Sequence, residues 1–167
     1  MTNSNIFFIA ILGLLLTTIA CEKEPDPKLQ EAFKVHLNSI EVQGQVKEML
    51  NESDLILARL TEAFKALDLK VNAERGNMIS MAATSLQSFR PSYAKWEEAL
   101  VEVPGIEHAH DHADGEHHHH AAVPDHIKNM SPDQVLQLQK DLLVKIEGLR
   151  GALEMAISDA KQVLEAA

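Results

Sequence analysis

From Lys28 onward, apolar residues recur every three or four positions. Leu29, Phe33, Leu37 and Ile40 form one stripe, which resumes after Gly44 through Val46, Met49, Leu50, Ile56, Leu57, Leu60, Phe64 and Leu67. That period is the mark of an amphipathic helix. Gly44 either ends a first helix or sits inside a longer one, at about 1 kcal/mol relative to Ala. Residues 72–76 read as a turn or weak point. Met78, Ile79, Ala82, Leu86 and Phe89 then mark a further helix. Pro91 is expected to kink or restart it, because proline lacks the amide proton and its ring clashes with the carbonyl one turn back. Tyr93, Trp96 and Leu100 keep the helical spacing as far as Val103-Pro104-Gly105, a stop signal, and both aromatics read as core packing.

The last helix has the clearest beginning. Ser131-Pro132-Asp133-Gln134 puts Ser at the N-cap, Pro at the first helical position and Gln three residues after the cap. This is a capping box, with Pro where its missing amide costs nothing. Val135, Leu138, Leu142, Ile146, Leu149, Leu153, Ala156, Ala160 and Val163 follow at near-heptad spacing, which calls for partner helices. Gly148 and Gly151 either permit close helix approach or weaken this helix. The predicted fold is all-α: an up-and-down bundle of three to four long helices, with a disordered His-rich loop before the last one. In domain terms, residues 28–103 form the helical hairpins, 104–130 the His/Asp-rich loop and 131–167 the final helix.

Composition agrees. Aromatic residues make up only 4% of the chain, and Ala, Leu, Glu, Lys and Gln dominate outside the loop, which favours helix over a β-sandwich. The formal net charge is −10. That argues against nucleic acid, whose binding needs a basic footprint, and is compatible with cations as ligands.

Residues 6–19 form an apolar run broken only by Gly13, Thr17 and Thr18. It is shorter than the roughly 18–20 residues of a membrane-spanning helix and fits the core of an export signal. The run leads into Thr18-Ile19-Ala20-Cys21, and Cys21 is the only cysteine. This tetrapeptide resembles a bacterial lipobox, with Thr18 where Leu is usual. The resemblance implies a cleaved signal peptide over residues 1–20 and lipidation of Cys21. Residues 21–27 then form a charged, proline-containing tether, and the chain is anchored to the membrane by its lipid. The competing reading is an uncleaved hydrophobic N-terminus with an incidental cysteine.

Chemistry concentrates in residues 107–126. Eight of the nine histidines lie there: His108, His110, His112, His117, His118, His119, His120 and His126. Glu107, Asp111, Asp114, Glu116 and Asp125 are interspersed. Imidazole with carboxylate is a ligand set for zinc, copper or nickel. In an extended backbone His108, His110 and His112 share a face. Among His117 to His120, about half can face a single ion. No cysteine is nearby, so a closed zinc site is not expected. A loosely bound transition-metal ion is, with copper(II) preferred at nitrogen donors, and no organic cofactor is implied. The plain alternative is a solvated linker. His36, flanked by Phe33 and Leu37, reads as a packed histidine rather than a ligand.

Catalysis finds no support: the chain has no nucleophile-base set, no phosphate-binding glycine loop and no HExxH. The lipobox, the stretch Trp96-Glu97-Glu98-Ala99-Leu100-Val101-Glu102-Val103-Pro104-Gly105 and the His loop together resemble small helical envelope lipoproteins of Bacteroidetes. The resemblance implies an outer-membrane location, periplasmic or surface-exposed. A fainter likeness, at Met130-Ser131-Pro132-Asp133-Gln134, is to the LTxxQ motif of periplasmic zinc-resistance and envelope-stress chaperones. Three functions follow. The first is a metal-binding lipoprotein that buffers metal or delivers it to a transporter or outer-membrane protein. The second is a helical interaction module, a chaperone or accessory subunit, in which the His loop is only a linker. The third, least supported, is a hydrolytic metalloenzyme.

Overall fold

The computed structural model describes residues 26–106 and 123–166. Helix α1 spans Pro27–Ala66, α2 Ala73–Gln87, α3 Phe89–Ala99, the single turn α4 Asp125–Lys128, and α5 Pro132–Glu165. The architecture is an all-α bundle, and no strand occurs among the described residues. Asp26 caps α1, its carboxylate accepting from Lys28 N at 2.8 Å, with Pro27 in the first turn. The capping box of α5 is complete. Ser131 Oγ accepts from Gln134 N at 3.3 Å, and Gln134 Oε1 accepts from Ser131 N at 2.8 Å.

Cross-links between helices define the topology. Glu31 pairs with Lys140 at 2.8 Å and Glu52 with Lys161 at 2.7 Å, so α1 and α5 run parallel. Lys28 and Asp133 close the same pair of helices at their starts. The α2–α3 arm runs back between these levels, with Arg90 on Asp54 and Tyr93 on Gln43. The order is therefore up, down, up. Asp26 and the start of α5 share one end, called basal here. The turn between α1 and α2 lies at the other, distal end, about 60 Å away at 1.5 Å per helical residue.

Gly44 lies inside α1, which is continuous for 40 residues. The expected turn over residues 72–76 moves: the chain turns over residues 67–72, and Gly76 belongs to the first turn of α2. A Cβ at Gly76 would stand 2.7 Å from Leu69 Cδ2, so the glycine serves the close return of the chain. Pro91 acts as its chemistry requires. The helix breaks at Ser88, three residues before it, and α3 restarts at Phe89.

Two clusters form the core. The larger is built on Val46, Leu50, Leu60, Ile79, Leu86, Trp96, Ile146 and Leu153. The smaller, basal one joins Ala32, Val103, Val135 and Leu136. The buried seam of α1 is Ala32, His36, Ser39, Val42, Val46, Leu50, Ser53, Ile56 and Leu60. The expected stripe over its first turns is thus displaced: Leu37 is 45% exposed, while Leu29, Phe33 and Ile40 are half-buried. The reason is that a long helix has one phase. The apolar stretch from Val46 to Leu60 faces α5, and three- and four-residue steps back from Val46 reach Val42, Ser39, His36 and Ala32. The hydroxyls on this seam are satisfied locally, Ser39 donating to Val35 O at 3.1 Å and Ser53 to Leu50 O at 2.8 Å. Every helix among the described residues and both clusters lie within residues 26–166, so the chain from residue 22 onward contains the whole described bundle. No helix among the described residues is long and apolar enough to cross a membrane.

Candidate functional site: the basal end of the bundle

After α3 the chain does not loop away. Leu100 turns extended, and residues 100–106 run down between α1 and α5 as a strap. Val103, 2% exposed, fills the basal core against Ala32, Val135 and Leu136. Gly105 follows Pro104 with φ +74°, a left-handed conformation that suits glycine. Ile106 packs on the same cluster.

The chain re-enters at Val123 and Pro124. The turn α4 buries Ile127, and Met130 packs on the basal cluster just before α5. Residues 104–130, expected to be loop throughout, therefore hold structure at both ends. The strap adds Val103 to the basal cluster, and α4 buries Ile127 and leads into Met130, which packs on that cluster, features that the absence of long-range periodicity concealed.

A buried polar chain ties the strap to the bundle. His36 is 1% exposed and Gln139 is fully buried. Gln139 Nε2 donates to Val101 O at 2.8 Å, which turns its Oε1 toward His36 Nδ1 at 3.3 Å. In this orientation Nδ1 carries the proton. His36 is thus packed and hydrogen-bonded, as expected. Gln139 was not legible as a partner, because a glutamine within an apolar stripe reads as a surface residue.

A second cluster lies one layer up. Gln43 Nε2 donates to Tyr93 Oη at 2.9 Å and to Glu97 Oε1 at 3.1 Å, and Tyr93 Oη donates to Glu97 Oε1 at 2.9 Å. Burial raises the phenol pKa well above its ordinary value, and the hydrogen bond and charge of Glu97 raise it further, against the donor Gln43. Tyr93 therefore stays protonated and acts as a tie between α1 and α3. Trp96 Nε1 donates to Leu142 O at 2.8 Å, tying α3 to α5.

Of the expected metal ligands, only His126 falls among the described residues. It is exposed on α4, beside exposed Asp125, whose carboxylate pairs with Lys128 at 3.0 Å. His108, His110, Asp111, His112, Asp114, Glu116, His117, His118, His119 and His120 lie outside the described residues, as does Cys21. Among the described residues no group of three or more His, Cys, Asp or Glu side chains is placed to hold a metal ion. The chain matches no protein-family model, no curated protein and no solved structure.

Proposed function

We propose that this protein is a membrane-anchored envelope lipoprotein that binds transition-metal ions through its His-rich segment, buffering them or handing them to a transporter. One observation carries the reading. Ile106 and Val123, the described residues that flank residues 107–122 of the segment, sit at the same end of the bundle as Asp26, near the end of the tether. The segment from Cys21 to Asp26 spans at most about 18 Å. Metal bound between Ile106 and Val123 would then be held close to the lipid surface, where a membrane transporter presents its entry site. The bundle supplies a rigid mount for this end: the strap and α4 are pinned by Val103, Gln139 and Ile127. Its apolar seams are filled by its own side chains, which leaves the ligands to the connecting segment.

The helical interaction module is the second reading. It is favoured by exposed apolar residues toward the distal end, Val71 at 79% and Met81 at 74%.

Calorimetric titration of residues 22–167 with copper(II), nickel(II) and zinc(II), beside a variant with the loop histidines changed to Ser, separates the two. Micromolar or tighter binding that the variant loses supports metal capture. Binding weaker than about 100 µM for every ion, or binding unchanged in the variant, removes it and leaves the interaction module.

A further inference from the structure

Seven of the fourteen Lys and Arg side chains among the described residues already face a carboxylate. Lys28, Lys47, Lys65, Arg90, Lys128, Lys140 and Lys161 each have one within 4.0 Å. Lys95 on α3 and Lys145 on α5 have none among the described residues, and both line the same groove. The groove runs between α3 and α5 with a volume of about 360 Å³, and its floor is Trp96, Ala99, Leu142 and Leu149. Ser92 also lines it, but its hydroxyl proton is donated to Ser88 O at 3.0 Å. The indole N–H is likewise committed, to Leu142 O. The two ammonium groups are therefore the free donors at this site. The neighbouring acids form no ion pair with them among the described residues: Glu97, two residues after Lys95, faces Lys47 at 3.6 Å and accepts from Gln43 and Tyr93, and Asp141, one turn before Lys145, accepts from Gln137 at 2.8 Å.

We propose that this groove binds an anionic amphiphile, an aliphatic carboxylate whose chain lies along Trp96, Leu142 and Leu149 and whose carboxylate is held by Lys95 and Lys145. The chemistry of the walls selects this class. An apolar floor gains from removing a hydrocarbon chain from water, and two unneutralised ammonium groups at its margin favour a monoanion over a neutral or cationic head. The volume falls within the roughly 300–1,000 Å³ of small-ligand clefts. None of the residues lining the groove belongs to the His-rich segment, and the proposal does not depend on that segment binding metal.

Trp96 is the only tryptophan in the chain, so its fluorescence reports this groove alone. Residues 22–167 are titrated with decanoate below its aggregation concentration, with 1-decanol as the neutral chain of equal length. The expected result is a saturable change in Trp96 emission with decanoate and at least tenfold weaker binding of decanol. K95E/K145E should lose the response at an unchanged helical circular-dichroism signal, and K34E/K70E, remote from the groove, should keep it. If K95E/K145E fails to fold, K95Q/K145Q takes its place, with at least a fivefold loss expected. The absence of a saturable change, equal binding of decanol, or undiminished binding by the lysine variant overturns the proposal.

Discussion

Gln139 Oε1 lies 3.3 Å from His36 Nδ1 in the seam between the two parallel helices, and the same amide donates to Val101 O. One glutamine thus joins three separate segments of chain, α1, α5 and the strap, in a position closed to water. Left unmade, such buried bonds cost more than they contribute when formed. The network therefore selects the register of the strap, and with it the position of Ile106, the last described residue before the His-rich segment.

Replacing Gln139 by Ala should destabilise the protein by about 2–4 kcal/mol, since it removes the bonds to Val101 O and His36 Nδ1 and opens a cavity. The double substitution H36L/Q139L should cost less than the sum of the single ones, because replacing both partners by apolar groups leaves fewer orphans. Urea unfolding at constant m-value measures both. Faster amide exchange over residues 101–103 in Q139A would show the strap released.

Gly44, Gly148 and Gly151 lie in helices, and a Cβ at each would meet nothing within 4 Å. Ala at each should stabilise by about 0.5–1 kcal/mol and raise Tm, through helix propensity alone. Gly105 should behave oppositely: with φ +74° and open surroundings, G105A pays only backbone strain, about 1 kcal/mol. Thermal unfolding of the four variants tests both signs.

Ser131→Ala should cost about 1 kcal/mol, the usual value of an N-cap side chain. The loss should fray the first turn of α5 and expose Val135 and Leu136 of the basal cluster. Hydrogen exchange confined to residues 131–137 at first, before global unfolding, is the expected signature.

A chelator should leave the helical circular-dichroism signal of metal-loaded protein unchanged, because the seams of α1 and α5 are filled by Val46, Leu50, Ile146, Leu153 and their neighbours. Metal affinity itself should fall as pH drops through about 6, since binding needs the neutral ring. Collapse of the helical signal on chelation would make the metal structural instead.

Local chemistry was readable wherever one residue type dictates one conformation. Ser131 and Gln134 announced their capping box, Pro91 its break, and the stripe from Val135 to Val163 its helix, because caps, rings and strong periodicity act within a turn or two. The ligand-rich composition of residues 107–126 was equally plain, since it is a property of side-chain chemistry alone.

Tertiary structure decided the rest. Which face of α1 is buried at its start could not be read from Leu29, Phe33, Leu37 and Ile40, because one residue of rotation turns a helix by 100° and the phase is set by packing further along. Gly44 stays helical because flanking turns pack on α5, a contact no local pattern reveals. Gln139 is buried because a strap lacking periodicity closes the groove beside it. That Ile106 and Val123 lie at the same end of the bundle as Asp26 follows from the up, down, up path of three arms, which returns the chain to the end where the first helix starts. Spacing along the chain determines helices; only packing between them determines which ends meet.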